Sequence, residues 1–551
     1  MLIYSILILL LATAVNKNRD SSILFSRITI LALVSSFIVL SMNMNIHFIH
    51  EGLILYGGLF IVKKHMMFFI LFILILSVFI VSINSFFFRK ISNPNLEYNS
   101  KNTISYLNKI RENTLRKLNT MTYEYRIIEY PLIILFCLTG AIFLVCSYDI
   151  VSIFLSIELQ SYALYLLCSI HRNSESSIHA GLTYFLLGGF SSCIILLGIS
   201  LLYINTGNTS LENIYMINNI SNAFTNHLFL ENGNINIIST GISNQYTSLQ
   251  LPLAIISVGL LFKIGSAPFH FWSPDVYDAI PTNVTTFVAI VAKISILILL
   301  FELTFYTDSN VKTFSWLNNI ILSAVFSLLI GSILGLVQYR IKRLFTYSTI
   351  SHIGFILLAL AMNTLESSRA FFFYILQYSL SNLNAFLILI AIGSNLYFYV
   401  LKKNINLKTD NYSPIQYITQ LKGYFHVNPI IAISFSLTLF SFVGIPPLIG
   451  FFGKQMVLIT AIDKGYMFTT LIAILTSVIS AVYYLILVKM IFFDKSIYTL
   501  NHDVYKNKLH INPTNVSMSS FFSFAISILT LFIVLFMFFD QEFIRWIYII
   551  T

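Results

Sequence analysis

Residues 252–272 read PLAIISVGLLFKIGSAPFHFW, an apolar run with Lys263 at its centre and Pro268 just beyond. An ionisable side chain at bilayer depth costs roughly 2.5–3.5 kcal/mol on insertion scales, so a chain that keeps one there has a use for it. Pro268 lacks a backbone donor and its ring clashes with the preceding turn, so the helix must stop or bend. Backbone outside a helix is tolerated at that depth only within protein or beside a water-filled cavity. The stretch predicts a buried, hydrated charge site beside a broken membrane helix.

The rest of the chain has the same character. Of 551 residues 57% are hydrophobic and 10% charged, and the mean hydropathy is +0.82, which excludes an ordinary soluble protein. Counting roughly 20 apolar residues per crossing gives about 14 spans. They lie near 1–15, 23–42, 66–88, 130–147, 149–170, 178–205, 249–272, 286–306, 316–338, 344–362, 370–400, 427–461, 466–493 and 518–539. The fold class expected is an all-α polytopic membrane protein. The first run has no basic flank or cleavage site and reads as a retained helix, not a signal peptide. Residues 52–62, GLILYGGLFIV, are too few to cross and suit a re-entrant piece or a surface β-hairpin.

The net charge of +10 could suggest nucleic acid, but most Lys and Arg fall in loops after odd-numbered spans, so topology explains them better. That distribution predicts both termini on the outer side. Three polar stretches interrupt the spans. Residues 89–129 are basic, with an amphipathic surface helix expected around 104–121. Residues 206–248 are rich in Asn and Ser, and residues 401–426 are basic. None resembles a catalytic domain. Cys137, Cys146, Cys168 and Cys193 form no metal-spaced cluster and read as buried spectators. No Gly-rich phosphate loop, haem or iron–sulfur pattern is present.

Spans four to eight and nine to thirteen form two blocks of five. An odd number of crossings inverts the second block relative to the first. The fourth member of each is broken by proline, at Gly265-Ser266-Ala267-Pro268 and at Gly444-Ile445-Pro446-Pro447. Matching interrupted segments in inverted halves point to a transport pathway. The chain divides accordingly into an N-terminal three-helix segment with its basic loop (1–129), a first repeat (130–306), a second (307–493) and a C-terminal loop and helix (494–551).

Glu158, Lys263, Lys293, His352 and Lys454 punctuate these blocks, with His270 beside the first break. Burial penalises the charged form of any such group, and an opposite charge nearby restores it. Moving an acid and a lysine together or apart therefore loads and unloads a proton. Structural alternatives exist for each. Glu158 and Lys263 could be a plain salt bridge, Lys293 and Lys454 could snorkel, and either histidine could be a satisfied core residue. Lys489, near a span end, reads as snorkelling.

Four motifs make the reading specific: SIELQSYALYLL around Glu158, GLLFKIGSAPFHFWSPDVYDAIPTNVTTFVAIVAKIS from Gly259 to Ser295, YSTISHIGF around His352, and GIPPLIGFFGKQ around Lys454. With them, nearly the whole chain resembles the chain 2 family of mitochondrial NADH–ubiquinone oxidoreductase, the antiporter-like membrane subunits of respiratory complex I, and its fungal versions most. The resemblance implies fourteen helices in two inverted five-helix units. It implies a glutamate–lysine pair at Glu158 and Lys263, a central lysine at Lys293 and a second-half lysine at Lys454. His352, and His270 as a further candidate, would extend the proton relay. It implies proton translocation in the mitochondrial inner membrane with no redox centre in this chain, since NADH, FMN, iron–sulfur clusters and ubiquinone belong to other subunits. The partners implied are the chain 4 neighbour, small membrane chains, accessory subunits and phospholipids. The chain 4 type carries a glutamate near the Lys454 position and a His-Trp-Leu-Pro sequence where this chain has PFHFWSPDVY. The stretches 89–129 and 206–248 exceed the family's core. The alternative is a subunit of a stand-alone cation/proton antiporter, and a third reading is a structural scaffold.

Overall fold

An apolar run in lipid has no water to satisfy its backbone, so each run closes its own hydrogen bonds as a helix. In the computed structural model the described residues are 1–15, 22–44, 52–85, 129–171, 174–218, 238–307, 315–399, 415–495 and 520–550. Their helices are α1 (Leu2–Val15), α2 (Ser22–Asn43), α3 (Lys64–Ser85), α4 (Glu129–Cys146), α5 (Ile150–Cys168), α6 (Glu175–Thr206), α7 (Ile238–Ile264), α8 (Trp272–Ala279) and α9 (Thr282–Thr307). After these come α10 (Leu317–Leu336), α11 (Ile341–Met362), α12 (Leu365–Tyr399), α13 (Pro429–Val443), α14 (Ile449–Asp463), α15 (Met467–Phe492) and α16 (Ser520–Ile550). Among the described residues 11 helices are long and apolar enough to cross a membrane, and Leu2–Val15, Leu249–Ile264 and Pro429–Val443 are apolar but shorter. Together they account, run for run, for the spans expected from the sequence.

Both breaks fall where proline put them. α7 ends at Ile264 and α8 starts at Trp272; α13 ends at Val443 and α14 starts at Ile449. The single span expected over 427–461 is thus two half-helices. Gly265 and Gly444 lie just past the first half-helix of each pair with φ of 76° and 87°, the left-handed backbone that ends a helix. Residues 52–62 form the hairpin, β1 (Leu53–Leu55) antiparallel to β2 (Phe60–Val62). It is tied to the α4–α5 link by Tyr148 N donating to Leu59 O (3.0 Å), and Asp149 bridges to Ser210. These segments mark one end of the bundle, the hairpin end.

Some boundaries differ from expectation. α7 starts at Ile238, well inside the stretch expected to be a polar loop, because Asn and Ser lower hydropathy without forbidding helix. α16 runs to Ile550, so Arg545, expected beyond the last span, is helical and pairs with Glu542 at 2.8 Å. The surface helix expected over 104–121 lies outside the described residues.

The two blocks pack alike. α4 lies along α5 as α10 lies along α11. In both pairs a glycine makes the approach possible: a Cβ on Gly140 would stand 2.7 Å from Gln160 N, and one on Gly331 would stand 2.7 Å from Ser351 N. The three helices in the middle, α9, α11 and α12, have 94% of their apolar windows buried, against 33% for α6, α15 and α16. The central helices carry Lys293, His352 and the residues around them; the others form the apolar rim.

Candidate functional site

Glu158 on α5 and Lys263 on α7 meet. Lys263 Nζ lies 3.4 Å from Glu158 Oε1, with 7% of the lysine and 15% of the glutamate side chain accessible. The half-helix end just past Lys263 is closed by neutral donors. Ser266 Oγ donates to Leu261 O (3.2 Å), and Trp272 Nε1 donates to Phe262 O (3.0 Å). Trp272 itself stacks on Tyr184 of α6, centroids 4.7 Å apart, which fixes where α8 begins.

A cavity of about 20 Å³ separates Lys263 from Lys293 and is lined also by Gln160, Ser161, Tyr165 and Ser191. That is room for about one water, among groups polar enough to hold it. Lys293 is 2% exposed on α9, so it does not snorkel. Its Nζ donates to Thr349 Oγ1 on α11 (3.3 Å) and lies 5.3 Å from the Tyr277 ring centre. Gln160 ties the same region together: its Oε1 accepts from Ser295 Oγ (3.0 Å) and its Nε2 donates to Ala292 O (3.4 Å).

One helical turn past Thr349, His352 is fully enclosed. Its Nδ1 is 2.9 Å from Tyr374 Oη and its Nε2 is 3.4 Å from Tyr484 Oη, so both ring nitrogens meet a hydroxyl that can donate or accept. Lys454 follows, 8% exposed and not snorkelling. Its Nζ donates to Phe442 O (2.9 Å) and Val443 O (2.8 Å), the carbonyls left open where α13 stops. These carbonyls are the negative end of the half-helix dipole, which favours a cation. Gln377 on α12 is buried with neither amide atom bonded to protein, and a Cβ on Gly453 would touch its Oε1 at 2.6 Å.

His270 is buried too, but it is not among the residues lining the cavity, and Nδ1 has no protein partner. It stacks on Phe271 and lies 6.4 Å from the Tyr347 ring. Lys489 is exposed near the end of α15, as expected of a snorkelling lysine.

At the end opposite the hairpin, α8 is clamped to the start of α11. Arg340 Nη1 is 2.5 Å from Asp278 Oδ2, Arg343 pairs with Asp275, and Lys342 Nζ donates to Ile280 O (2.6 Å). Asp278 holds the Arg340 guanidinium above its ordinary pKa by hydrogen bond and charge. The clamp joins the broken helix of one block to the His352 helix of the other.

Sequence reading missed Gln160, Thr349, Tyr374, Gln377 and Tyr484, because neutral polar residues are common in membrane helices and none stands out. It also passed over Glu302, a buried acid in LLFELTFY that the rule applied to Glu158 could have found.

Comparison with known proteins agrees with this architecture. The family model for NADH:quinone oxidoreductase/Mrp antiporter, TM, matches residues 147–480. NADH-ubiquinone oxidoreductase chain 2 of Rhizopus oryzae is 41% identical, covering 100% of this chain and 99% of the relative. The same-named chain of Marchantia polymorpha is 34% identical over 66% of this chain and 67% of its own. A chain of respiratory complex I from Thermus thermophilus with bound aureothin shares the fold at a TM-score of 0.69 and 22% identity, covering 99% of this chain and 97% of that one. On these findings the chain belongs to the chain 2 family of NADH–ubiquinone oxidoreductase, the antiporter-like membrane subunits of respiratory complex I.

Proposed function

We propose that within this proton-translocating oxidoreductase the chain carries protons along Glu158, Lys263, Lys293, His352 and Lys454. The observation that supports it most is the run of buried polar groups crossing both blocks. It passes from the Glu158–Lys263 pair through the cavity to Lys293 and Thr349, then to His352 between two tyrosine hydroxyls, and on past Gln377 to Lys454. A proton on Lys263 weakens its claim when Glu158 moves away, and the next acceptor is Lys293 across the cavity. Thr349 and the tyrosines flanking His352 offer hydroxyls that hand a proton on by reorienting. His270 lies outside this run and fits better as a group near the break than as a link.

The five-helix blocks are 130–306 and 307–493, flanked by 1–129 and 494–551. The basic loops face the matrix, so the hairpin end and both termini face the intermembrane space of the mitochondrial inner membrane. Moving one charge against the potential costs about 2.3 kcal/mol per 100 mV. The drive must come from outside this chain, from NADH oxidation and quinone reduction on subunits that hold FMN, iron–sulfur clusters and ubiquinone. Neighbouring membrane subunits, the chain 4 type among them, accessory subunits and phospholipids would cover the rim of α6, α15 and α16.

The test is Lys293→Met in the assembled complex. Methionine keeps the stem and removes the proton site. Assembly on native gels is expected to persist, while proton pumping and coupled NADH:ubiquinone turnover drop by about tenfold or more. Pumping at the wild-type rate in that variant defeats the relay.

A further inference from the structure

Among the described residues outside the relay, another cluster of ionisable groups centres on a buried acid. Glu302, near the end of α9, is 3% exposed. His65 Nε2 contacts its Oε1, and Lys63 Nζ lies 3.7 Å from its Oε2. Lys63 also bonds the Tyr306 hydroxyl and stands 4.7 Å from that ring's centre. Tyr306 in turn packs edge-on to Tyr148 of the α4–α5 link at 5.4 Å and to Tyr215 at 6.2 Å. Lys63 and His65 both come from the junction of β2 and α3, so the whole cluster sits at the hairpin end.

Exposure is graded across it. The glutamate side chain is 4% accessible, His65 17% and Lys63 25%. A group enclosed in protein is therefore joined by direct contact to groups that reach the chain's surface at the hairpin end. If a latch between α3 and α9 were all that was needed, apolar packing would serve as well, because replacing a buried ion pair with well-packed apolar residues is often neutral or stabilising. Three ionisable side chains kept together at that cost argue for proton chemistry.

The link to the interior runs through α9. Glu302 lies nine residues after Lys293, about 13 Å along the helix and half a turn round, so the two face opposite ways. Ser295 lies two turns before Glu302 on the same face, and Ser295 donates to Gln160, which lines the cavity beside Lys293. Between Ser295 and Glu302 that face carries Ile298 and Leu299, both fully buried. A short apolar interval between two polar sites conducts only when water enters it, which is how hydrophobic constrictions gate.

We propose that Glu302, with His65 and Lys63, is the site at which the first five-helix block exchanges protons with the aqueous phase at the hairpin end. It rests on the relay reading in taking protons as the cargo. In the release direction, a water in the opened interval gives a proton to Oε1 of the Glu302 carboxylate as it takes one, by way of the cavity, from the Lys293 ammonium, which is left a neutral amine. The Oε1–H bond then breaks as an Nε2–H bond forms on His65. The imidazolium loses its Nδ1 proton to bulk water, and the carboxylate is regenerated beside Lys63.

The experiment uses the assembled complex in inner-membrane vesicles, with four variants compared: Glu302→Gln, Glu302→Asp, the triple Lys63→Met/His65→Phe/Glu302→Leu, and Lys293→Met. Glu302→Gln is expected to assemble, to lose about tenfold in proton pumping and coupled turnover, and to flatten the pH profile; Glu302→Asp is expected to restore most of the rate. The triple variant, whose latch is apolar, is expected to assemble and still fail to pump. Wild-type pumping with a wild-type pH profile in Glu302→Gln or in the triple variant overturns the proposal, and failure of both to assemble overturns it too by assigning the cluster to folding. Lys293→Met separates the two readings. Its loss alongside intact pumping in the Glu302 variants sinks only this inference, whereas wild-type pumping in Lys293→Met itself sinks the relay.

Discussion

Lys263 stands before its break and meets a carboxylate, whereas Lys454 stands after its break and meets two backbone carbonyls. The surrounding helices are equivalent. Gly140 faces Gln160 in one block as Gly331 faces Ser351 in the other, at the same distance. That equivalence puts Thr349, two residues before Ser351, where the first block has Glu158, two residues before Gln160. The second block thus lacks the acid, and its lysine takes a half-helix terminus as counter-charge instead. In the first block the side-chain donors near the half-helix end are neutral, Ser266 on Leu261 O and Trp272 on Phe262 O. A carboxylate on a side chain can move away from its lysine, whereas a helix end is fixed. Under the proposed relay, the first block would change the field on its lysine and the second would hold a constant one.

This difference can be broken most directly with a double-mutant cycle. Glu158→Gln and Lys263→Met should be strongly non-additive in coupled turnover, the pair being no worse than Lys263→Met alone. Glu158→Gln and Lys454→Met should multiply. Each lysine change is expected to cost about tenfold or more and Glu158→Gln severalfold, measured as rotenone-sensitive NADH:ubiquinone activity per assembled complex. Additivity in the first pair removes the movable-acid reading. A smaller effect tests the equivalence of the frames. Gly140→Ala and Gly331→Ala should each destabilise by about 1–3 kcal/mol, because the added carbon meets backbone and not a yielding side chain. The readout is the thermal midpoint of the purified complex, and a clear inequality between the two variants would sharpen the comparison into a real asymmetry. The smallest effect concerns Thr349→Val, which removes one neutral hydroxyl from Lys293. A loss of about 1 kcal/mol, less than tenfold in rate, is expected. A collapse as large as that of Lys293→Met would make Thr349 an obligatory carrier.

Much of this molecule was legible in its sequence. Lys263, Lys293 and Lys454 announced themselves because charge in an apolar run is rare, and Pro268 and Pro446-Pro447 fixed both breaks because proline acts within its own turn. Length and Gly57-Gly58 narrowed 52–62 to a re-entrant piece or a hairpin, and the tertiary structure decided for the hairpin. The pairing of Glu158 with Lys263 came from family resemblance, and the tertiary structure placed the two in contact.

Other features had no local signature. Thr349 beside Lys293, the tyrosines on both nitrogens of His352, and the carbonyls under Lys454 depend on which helix faces surround the central α9, α11 and α12. Glu302 belongs with Lys63 and His65, more than two hundred positions away in the chain, only because α3 packs along α9. Hydropathy and proline act over a few residues, so sequence determined the helices, their interruptions and the positions of the lysines. Partners are set by the packing of helices far apart in the chain, so only the tertiary structure decided what each charge touches.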